Sequence, residues 1–222
     1  HAAAAARGVL LKGDIPILVG RDSADVWHAP QFFRLDTSAG APPDMYSADG
    51  QNWGMPTYDW PALWDDGCRF WRARLAHAER YFDMFRIDHV VGLFRIWTIP
   101  AGEKSGKLGV FVPADEAQWE GHGRRILTMM LESTSMLPLA EDLGTVPDVC
   151  RTTLAEYGIC GMKVVRWERN WNTDGTFKPL TTYPTVSLAT LSTHDSETFA
   201  AWWNHAAELA REHRLPEEYI AA

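Results

Sequence analysis

The 222-residue chain is poor in cysteine, in basic charge and in long apolar runs. Its three cysteines form no C-x-x-C pair, which argues against a disulfide scaffold and favours buried thiols in the reducing cytoplasm. Lysine and arginine number 21 against 29 acidic residues, for a net charge of -8, so we expect no surface for nucleic acid or an anionic membrane. The longest apolar runs are shorter than a membrane span, and none follows a basic segment as in a signal peptide.

Tryptophan, by contrast, is abundant, with 11 copies in a chain that is 12% aromatic and 46% hydrophobic. A large hydrophobic core accounts for such a content. A ligand with flat apolar faces, such as a sugar, accounts for it equally, because indole rings stack on such faces. Composition alone leaves both interpretations open.

Five short apolar segments are typical of buried strands, and helical patterns lie between most of them. The strands are predicted at residues 9–19, 84–92, 136–144, 161–167 and 187–195, and the helices at 61–82, 116–134, 147–158 and 196–213. Alternation of strand and helix predicts an α/β fold with a parallel sheet. A short alanine-rich helix that stops at Gly8 precedes the first strand.

The segment 27–60 follows the first predicted strand and has no period. It is rich in proline, glycine and aromatic residues, so we expect a long ordered loop with a functional role. Tyr46, Trp53 and Tyr58 are candidates to stack on a ligand there, and packing of the loop onto the fold is the alternative.

Acidic residues stand at the carboxyl ends of three predicted strands: Asp88, Glu141 with Asp142, and Asp195. In parallel α/β folds these ends converge, so we expect the three acids in one cleft. Three carboxylates in one cleft suit glycoside chemistry, a divalent metal or a structural charge cluster.

Glycoside chemistry assigns a different role to each acid. Arg86, two residues before Asp88 and on the same face of the strand, is expected to keep Asp88 ionised as the nucleophile. Glu141 follows apolar residues, where burial raises the pKa of a carboxyl group, which suits a proton donor. Asp195, beside His194, is expected to stabilise an oxocarbenium-like transition state.

Each of these features has an alternative. Arg86 and Asp88 could form a purely structural ion pair. Glu141 and Asp142 could cap the start of a helix. His194 and Asp195 could be half of a metal site, as in metal-dependent phosphohydrolases, although such sites need further ligands.

The motifs "KGDIPI", "GAPPDMYSADGQNWGMPTY", "FRIDHVVG", "LAEDLG" and "STHDSET" occur in the order found in 4-α-glucanotransferases, the amylomaltase or disproportionating-enzyme family. The chain resembles that family over most of its length. The resemblance implies a (β/α)₈ barrel and a retaining transfer of α-1,4-glucan segments. It implies Asp88 as nucleophile, Glu141 as acid/base and Asp195 as the transition-state-stabilising acid.

The resemblance also implies sugar contacts. Arg86 and His194 match residues that contact the sugar around the cleaved bond, and Asp44 and Trp53 lie in the loop that folds over the glucan. Asp14 and His89 are less certain contacts in the same cleft. The chemistry calls for no metal and no organic cofactor.

The family's strand numbering implies that residues 1–222 cover about strands 3 to 7 of the barrel, with a long loop after strand 3. We therefore expect an internal fragment of a larger catalytic barrel, acting on α-1,4-glucans and malto-oligosaccharides in the cytoplasm. An α-glucan hydrolase of the same clan and a non-catalytic sugar-binding fragment remain alternatives. The continuation "VVGLFRIW" after "FRIDH" resembles the branch that holds plant cytosolic disproportionating enzymes, which leaves the preferred acceptor open.

Overall fold

The structure is a computed structural model that describes residues 1–44, 47–171 and 173–211. The chain divides into two compact units, His1–Ile159 and Cys160–Ala222. In the described residues, the strands are β1 (Lys12–Ile15), β2 (Phe33–Arg34), β3 (Thr37–Ala41), β4 (Gln51–Asn52), β5 (Thr57–Tyr58), β6 (Met84–Ile87), β7 (Ile96–Pro100), β8 (Val110–Val112), β9 (Leu137–Ala140), β10 (Cys160–Val164) and β11 (Ser187–Thr190). The helices are α1 (Ala2–Ala5), α2 (Ala24–His28), α3 (Trp60–Asp65), α4 (Arg69–Ala78), α5 (Trp119–Leu131), α6 (Asp148–Glu156) and α7 (Phe199–Arg211).

The first unit contains a parallel sheet in the order β1-β6-β9. Its register places Asp14 beside Arg86 and Arg86 beside Leu139 on the next strand. The predicted strands are present but shorter than expected. β1 ends at Ile15 because Pro16 has no N–H to donate to the sheet. β6 ends at Ile87 because His89 adopts a left-handed conformation, with φ 46°, and a 3-10 turn follows.

The core of the first unit lies on the helix-facing side of this sheet. Phe85 and Ile87 of β6 are fully buried there, while Arg86 between them points to the other face, as strand alternation requires. The helix predicted at 61–82 is interrupted at Gly67 and Cys68, where φ is positive at both residues. Buried side chains of the resulting helix α4 and of α5 complete the core: Trp71, Leu75, Ile126, Leu127 and Met130.

The prediction of one long loop at 27–60 is wrong in part, because the segment contains the end of helix α2 and four short strands. β3 pairs with β4 and β7, and β7 with β8, in an antiparallel sheet ordered β4-β3-β7-β8. Gly40 permits the close approach of β4, since a Cβ atom at that position would lie 1.9 Å from the Gln51 carbonyl oxygen. The segment is thereby attached to β7, which begins only eight residues after Asp88.

The second unit contains the parallel pair β10 and β11, with Val164 beside Thr190, and helix α7. β11 ends at Thr190, short of the predicted end at residue 195. The chain turns after Thr190, whose hydroxyl group donates a hydrogen bond to the Ser192 carbonyl oxygen. Trp202 of α7 is buried against Phe177 and Phe199. Across the parts of the chain that the structure describes, we find no helix with the length and apolar character needed to span a bilayer.

Candidate functional site

Arg86 is the centre of a charge cluster at the carboxyl end of the parallel sheet. Its side chain is 5% exposed, and its Nη1 atom lies 2.8 Å from a carboxylate oxygen of Asp14 and 2.8 Å from one of Asp88. Its Nη2 atom donates a hydrogen bond of 2.7 Å to Glu141. One guanidinium thus holds three carboxyl groups that are far apart in sequence.

The sheet explains why these groups meet. Asp14 is level with Arg86 on the neighbouring strand, and Asp88 is the first residue after β6. Glu141 is the first residue after β9, and its main-chain N–H donates to the Ile87 carbonyl oxygen. Three parallel strand ends therefore deliver their acids to one arginine, as the sequence predicts for Asp88 and Glu141.

Glu141 has its pKa raised from 4.5 to about 7. Burial is the main cause, and a hydrogen bond with the Asp88 carboxyl group together with the Asp88 charge acts in the same direction. The His89 N–H and the Arg86 charge oppose the rise but do not cancel it. A carboxyl group that titrates near neutral pH is suited both to give a proton and to take one back.

The alternative that Glu141 and Asp142 cap a helix is wrong. Helix α6 begins at Asp148 with Pro147 at its N-cap. Asp142 is buried and instead forms an ion pair of 3.0 Å with Arg151 of that helix. Glu141 and Asp142 thus bind different arginines, Arg86 and Arg151.

His89 connects the cluster to the segment 27–60. Its ring meets the Trp53 ring edge-on, with centroids 4.9 Å apart. Burial lowers the pKa of His89 to about 4, against the attraction of Asp88, so the ring is neutral near pH 7. Its main-chain N–H donates to Glu141 Oε2 over 2.8 Å.

The other residues proposed in that segment have different surroundings. Tyr58 is buried against Phe33 and Trp71, so the prediction that it stacks on a ligand is wrong and the packing alternative holds for it. Asp44 is exposed, and its Oδ1 atom accepts a hydrogen bond from the Ser47 N–H. Its contact with a sugar stays a prediction, and Tyr46 lies outside the described residues.

Asp195 and His194 belong to the second unit and lie beyond the end of β11. Both side chains are 65% exposed, and His194 Nε2 lies 3.4 Å from Asp195 Oδ1. The convergence of Asp195 with the other two acids stays a prediction. In the described part of the chain, no group of three or more His, Cys, Asp or Glu side chains is arranged to hold a metal ion.

The resemblance placed Asp14 in the cleft, but two contacts of the cluster were not predicted from the sequence. Asp14 emerges as an ion-pair partner of Arg86, and the signal was available, since "GDI" and "FRI" both place a charged residue immediately before the last isoleucine of a strand. The second contact is made by the main-chain N–H of His89, which binds Glu141. No sequence pattern reports its direction, because it depends on a left-handed residue in a position without glycine.

Comparisons with known sequences and structures show what this chain is similar to. The family model described as 4-alpha-glucanotransferase matches residues 1–221. A 4-alpha-glucanotransferase of Chlamydia caviae is 49% identical over 203 residues, which cover 91% of this chain and 38% of that protein. The 4-alpha-glucanotransferase DPE2 of rice, Oryza sativa subsp. japonica, is 50% identical over 106 residues, covering 48% of this chain and 11% of that protein.

Among solved structures, the amylomaltase from Streptococcus agalactiae in complex with acarbose is similar to this chain with a TM-score of 0.74 and 28% sequence identity. The match covers 97% of this chain and 45% of that one. The chain therefore spans less than half the length of the proteins it resembles.

Proposed function

Because the chain belongs to the 4-alpha-glucanotransferase family, we propose that it moves α-1,4-glucan segments to the 4-hydroxyl group of an acceptor glucan or glucose. The observation that carries the proposal is the cluster around Arg86, in which Asp88 and Glu141 bind one guanidinium and the pKa of Glu141 is about 7. Its substrates are α-1,4-glucans and malto-oligosaccharides. The reaction needs no metal or organic cofactor, because both of its steps are nucleophilic substitutions with proton transfer.

The first step transfers the donor to the enzyme. The Asp88 carboxylate, held by Arg86, attacks the anomeric carbon and forms a covalent glycosyl-enzyme. The glycosidic bond breaks as Glu141 gives its proton to the leaving oxygen. Glu141 supplies that proton at neutral pH because burial has raised its pKa to about 7.

The second step transfers the donor to the acceptor. Glu141, now ionised, removes the proton from the 4-hydroxyl group of the acceptor, whose oxygen attacks the anomeric carbon and releases Asp88. Two inversions at that carbon give net retention. Asp88 and Glu141 bind Nη1 and Nη2 of the same guanidinium at 2.8 and 2.7 Å, and such close carboxyl groups support retention, since an inverting pair is separated by about 6.5–9.5 Å to admit a water molecule.

The remaining predicted residues have supporting roles in this proposal. Asp14 and Arg86 orient Asp88 and offer polar atoms to the sugar. Asp195 keeps its sequence-based role at the oxocarbenium-like transition state, and His194 and Asp44 keep theirs as sugar contacts.

We also propose the finer architecture, a partial (β/α)₈ barrel that covers about strands 3 to 7. Parallel pairing of β1 with β6, of β6 with β9 and of β10 with β11 supports it, as do the helices α4, α5 and α6, which precede β6, β9 and β10 in the chain. The fraction of the Chlamydia caviae relative that is covered, 38%, is in keeping with part of a longer catalytic protein. The cytoplasm is the proposed compartment, on the cysteine content alone.

Incubation with maltotriose tests the activity. A transferase is expected to produce a ladder of longer and shorter malto-oligosaccharides, resolved by chromatography or mass spectrometry. Glucose and maltose alone would indicate an α-glucan hydrolase. Binding of maltotriose to the protein without formation of any product would indicate a sugar-binding protein.

Transfer competes with hydrolysis at the glycosyl-enzyme, and Trp53 is positioned to affect the outcome. Its half-buried ring contacts His89, one residue after the nucleophile. We expect Trp53→Ala to raise the ratio of hydrolysis to transfer severalfold, because water gains access and the acceptor loses an aromatic surface. The ratio of glucose released to oligomer formed from maltotriose measures the effect.

The matched control is Trp27→Ala, which removes an 83% exposed indole from the same segment. That variant is expected to keep the wild-type ratio. An unchanged ratio in a folded Trp53→Ala protein would show that Trp53 only packs the segment in place.

A further inference from the structure

His89 has the most unusual backbone of any residue in the cluster. It follows the nucleophile directly and adopts φ 46° and ψ 54°, in the left-handed region that residues with a Cβ atom rarely occupy. Within the described residues, Cys68 is the other non-glycine residue with a positive φ. Such a conformation is energetically unfavourable for a residue with a Cβ atom and persists only where surrounding contacts hold it.

The turn at His89 directs two successive main-chain N–H groups at Glu141. The His89 N–H donates to the Glu141 carboxyl oxygen over 2.8 Å, and the Val90 N–H donates to the Glu141 main-chain carbonyl over 3.2 Å. The N–H of Glu141 itself donates to Ile87. The acid is therefore held at its side chain by His89 and at its main-chain groups by Val90 and Ile87.

The imidazole ring packs against the turn. Trp53 meets one side of the ring, and Gly92 leaves room for it, since a Cβ atom at Gly92 would lie 2.8 Å from the His89 Cδ2 atom and 2.6 Å from Ile17 Cδ1. The packed ring helps a residue with a Cβ atom to keep the left-handed conformation, and glycine adopts that conformation without such help.

We propose that His89 is a positioning residue: its left-handed backbone aims its N–H at Glu141 and thereby fixes the acid/base relative to the nucleophile. This inference rests on the proposed function and replaces the expectation that His89 contacts the sugar.

The groups that face Glu141 determine whether its pKa rises or falls when the hydrogen bond from His89 is lost. Arg86 reaches it from β6, and Asp88 and the His89 N–H reach it from the turn that follows. Asp14 acts on it through Arg86. The His89 N–H favours the ionised carboxylate and so lowers the pKa of Glu141 against the effect of burial, and loss of this bond raises that pKa.

A series at one position separates the backbone from the ring. All three variants, His89→Gly, His89→Ala and His89→Val, lack the ring, but glycine adopts the left-handed region freely, alanine with difficulty and valine least of all. The alkaline limb of the kcat/KM profile for maltotriose reports the pKa of the proton donor. We expect the pH midpoint of this limb to stay close to the wild-type value in the glycine variant. In the valine variant it is expected to rise by about one pH unit, with the alanine variant between them.

We expect kcat to follow the same order, falling on the order of 10²-fold in the valine variant because the acid is displaced. Circular dichroism and thermal unfolding establish that each protein is folded. If the valine variant does not fold, the order of glycine and alanine carries the test. An equal rise in KM in all variants with no movement of the limb would overturn the proposal, because the ring would then be a substrate contact.

A carboxyl titration by ¹³C NMR separates this inference from the proposed function. The pKa of Glu141 is expected to rise from glycine to alanine to valine even if the protein proves inactive on maltotriose. A pKa of Glu141 that does not change across the folded variants would overturn the inference whatever the activity.

Discussion

Replacing Asp88 with asparagine is expected to lower glucan transfer by roughly 10⁴-fold or more and to abolish the covalent glycosyl-enzyme. The amide is nearly the same size as the carboxylate and keeps an oxygen that can accept from Arg86, so the fold should survive. It is a much poorer nucleophile at the anomeric carbon. The protein is incubated with an activated glucosyl fluoride as the donor, and the reaction is then quenched rapidly. Mass spectrometry of the protein measures the adduct directly.

Asp14→Asn is the matched control, because Asp14 binds the same Nη1 atom of Arg86 as Asp88 does. If the role of Asp88 is chemical, the Asp14 variant still forms the adduct, though more slowly. If both acids only complete an ion-pair network, the two variants lose activity alike. An adduct of the expected mass on Asp88→Asn would contradict the assignment of the nucleophile.

Arg86→Met is expected to cost about 3 kcal/mol of the free energy of unfolding and most of the activity. A buried cation that is removed leaves its partners unpaired, which is far more costly than the pair itself is worth. The figure is at the low end of the usual range because the Asp14 and Asp88 side chains are 41% and 35% exposed and solvent screens them. Urea unfolding measures the loss.

The pH dependence of that loss has a definite sign. Glu141 has a folded-state pKa above its ordinary value of 4.5, so its ionisation destabilises the fold as the pH rises through about 7. Without Arg86 the pKa of Glu141 rises further. The difference in stability between wild type and Arg86→Met should thus be smallest below pH 4.5, where Glu141 is protonated in both proteins, and larger at pH 8.

Arg86→Lys, which keeps the charge, should lose less stability but still lose activity, since an ammonium does not reproduce the fork of a guanidinium.

The parallel sheet and the pairing of Arg86 with Asp88 were predictable from the sequence. Apolar strands alternate with helical patterns, and strand periodicity alone puts Arg86 opposite to Phe85 and Ile87. Parallel strand ends share one edge of a sheet, so the meeting of Asp88 with Glu141 followed from the position of each acid within its segment.

The strand lengths and the second sheet were not predictable in the same way. β1 and β6 were overestimated because apolar residues continue beyond Pro16 and His89, and periodicity does not report a backbone that turns. β2, β4 and β5 have two residues each, too few to show a period. The partner of β3 is β7, whose Ile99 pairs with Ser38, a contact between residues far apart in sequence. Such pairings depend on the tertiary structure and not on local preference.

The charge cluster leaves the cleft with an imbalance of charge. When Glu141 holds its proton, the single cation of Arg86 faces two anions, Asp14 and Asp88, so one negative charge has no counterpart among these four side chains. In the proposed reaction, that excess matches the positive charge that develops on the sugar ring as the glycosidic bond breaks, so we expect it to favour the transition state over the neutral ground state. The same excess repels anionic ligands, so phosphorylated glucans should be excluded from the position where plain glucose units react.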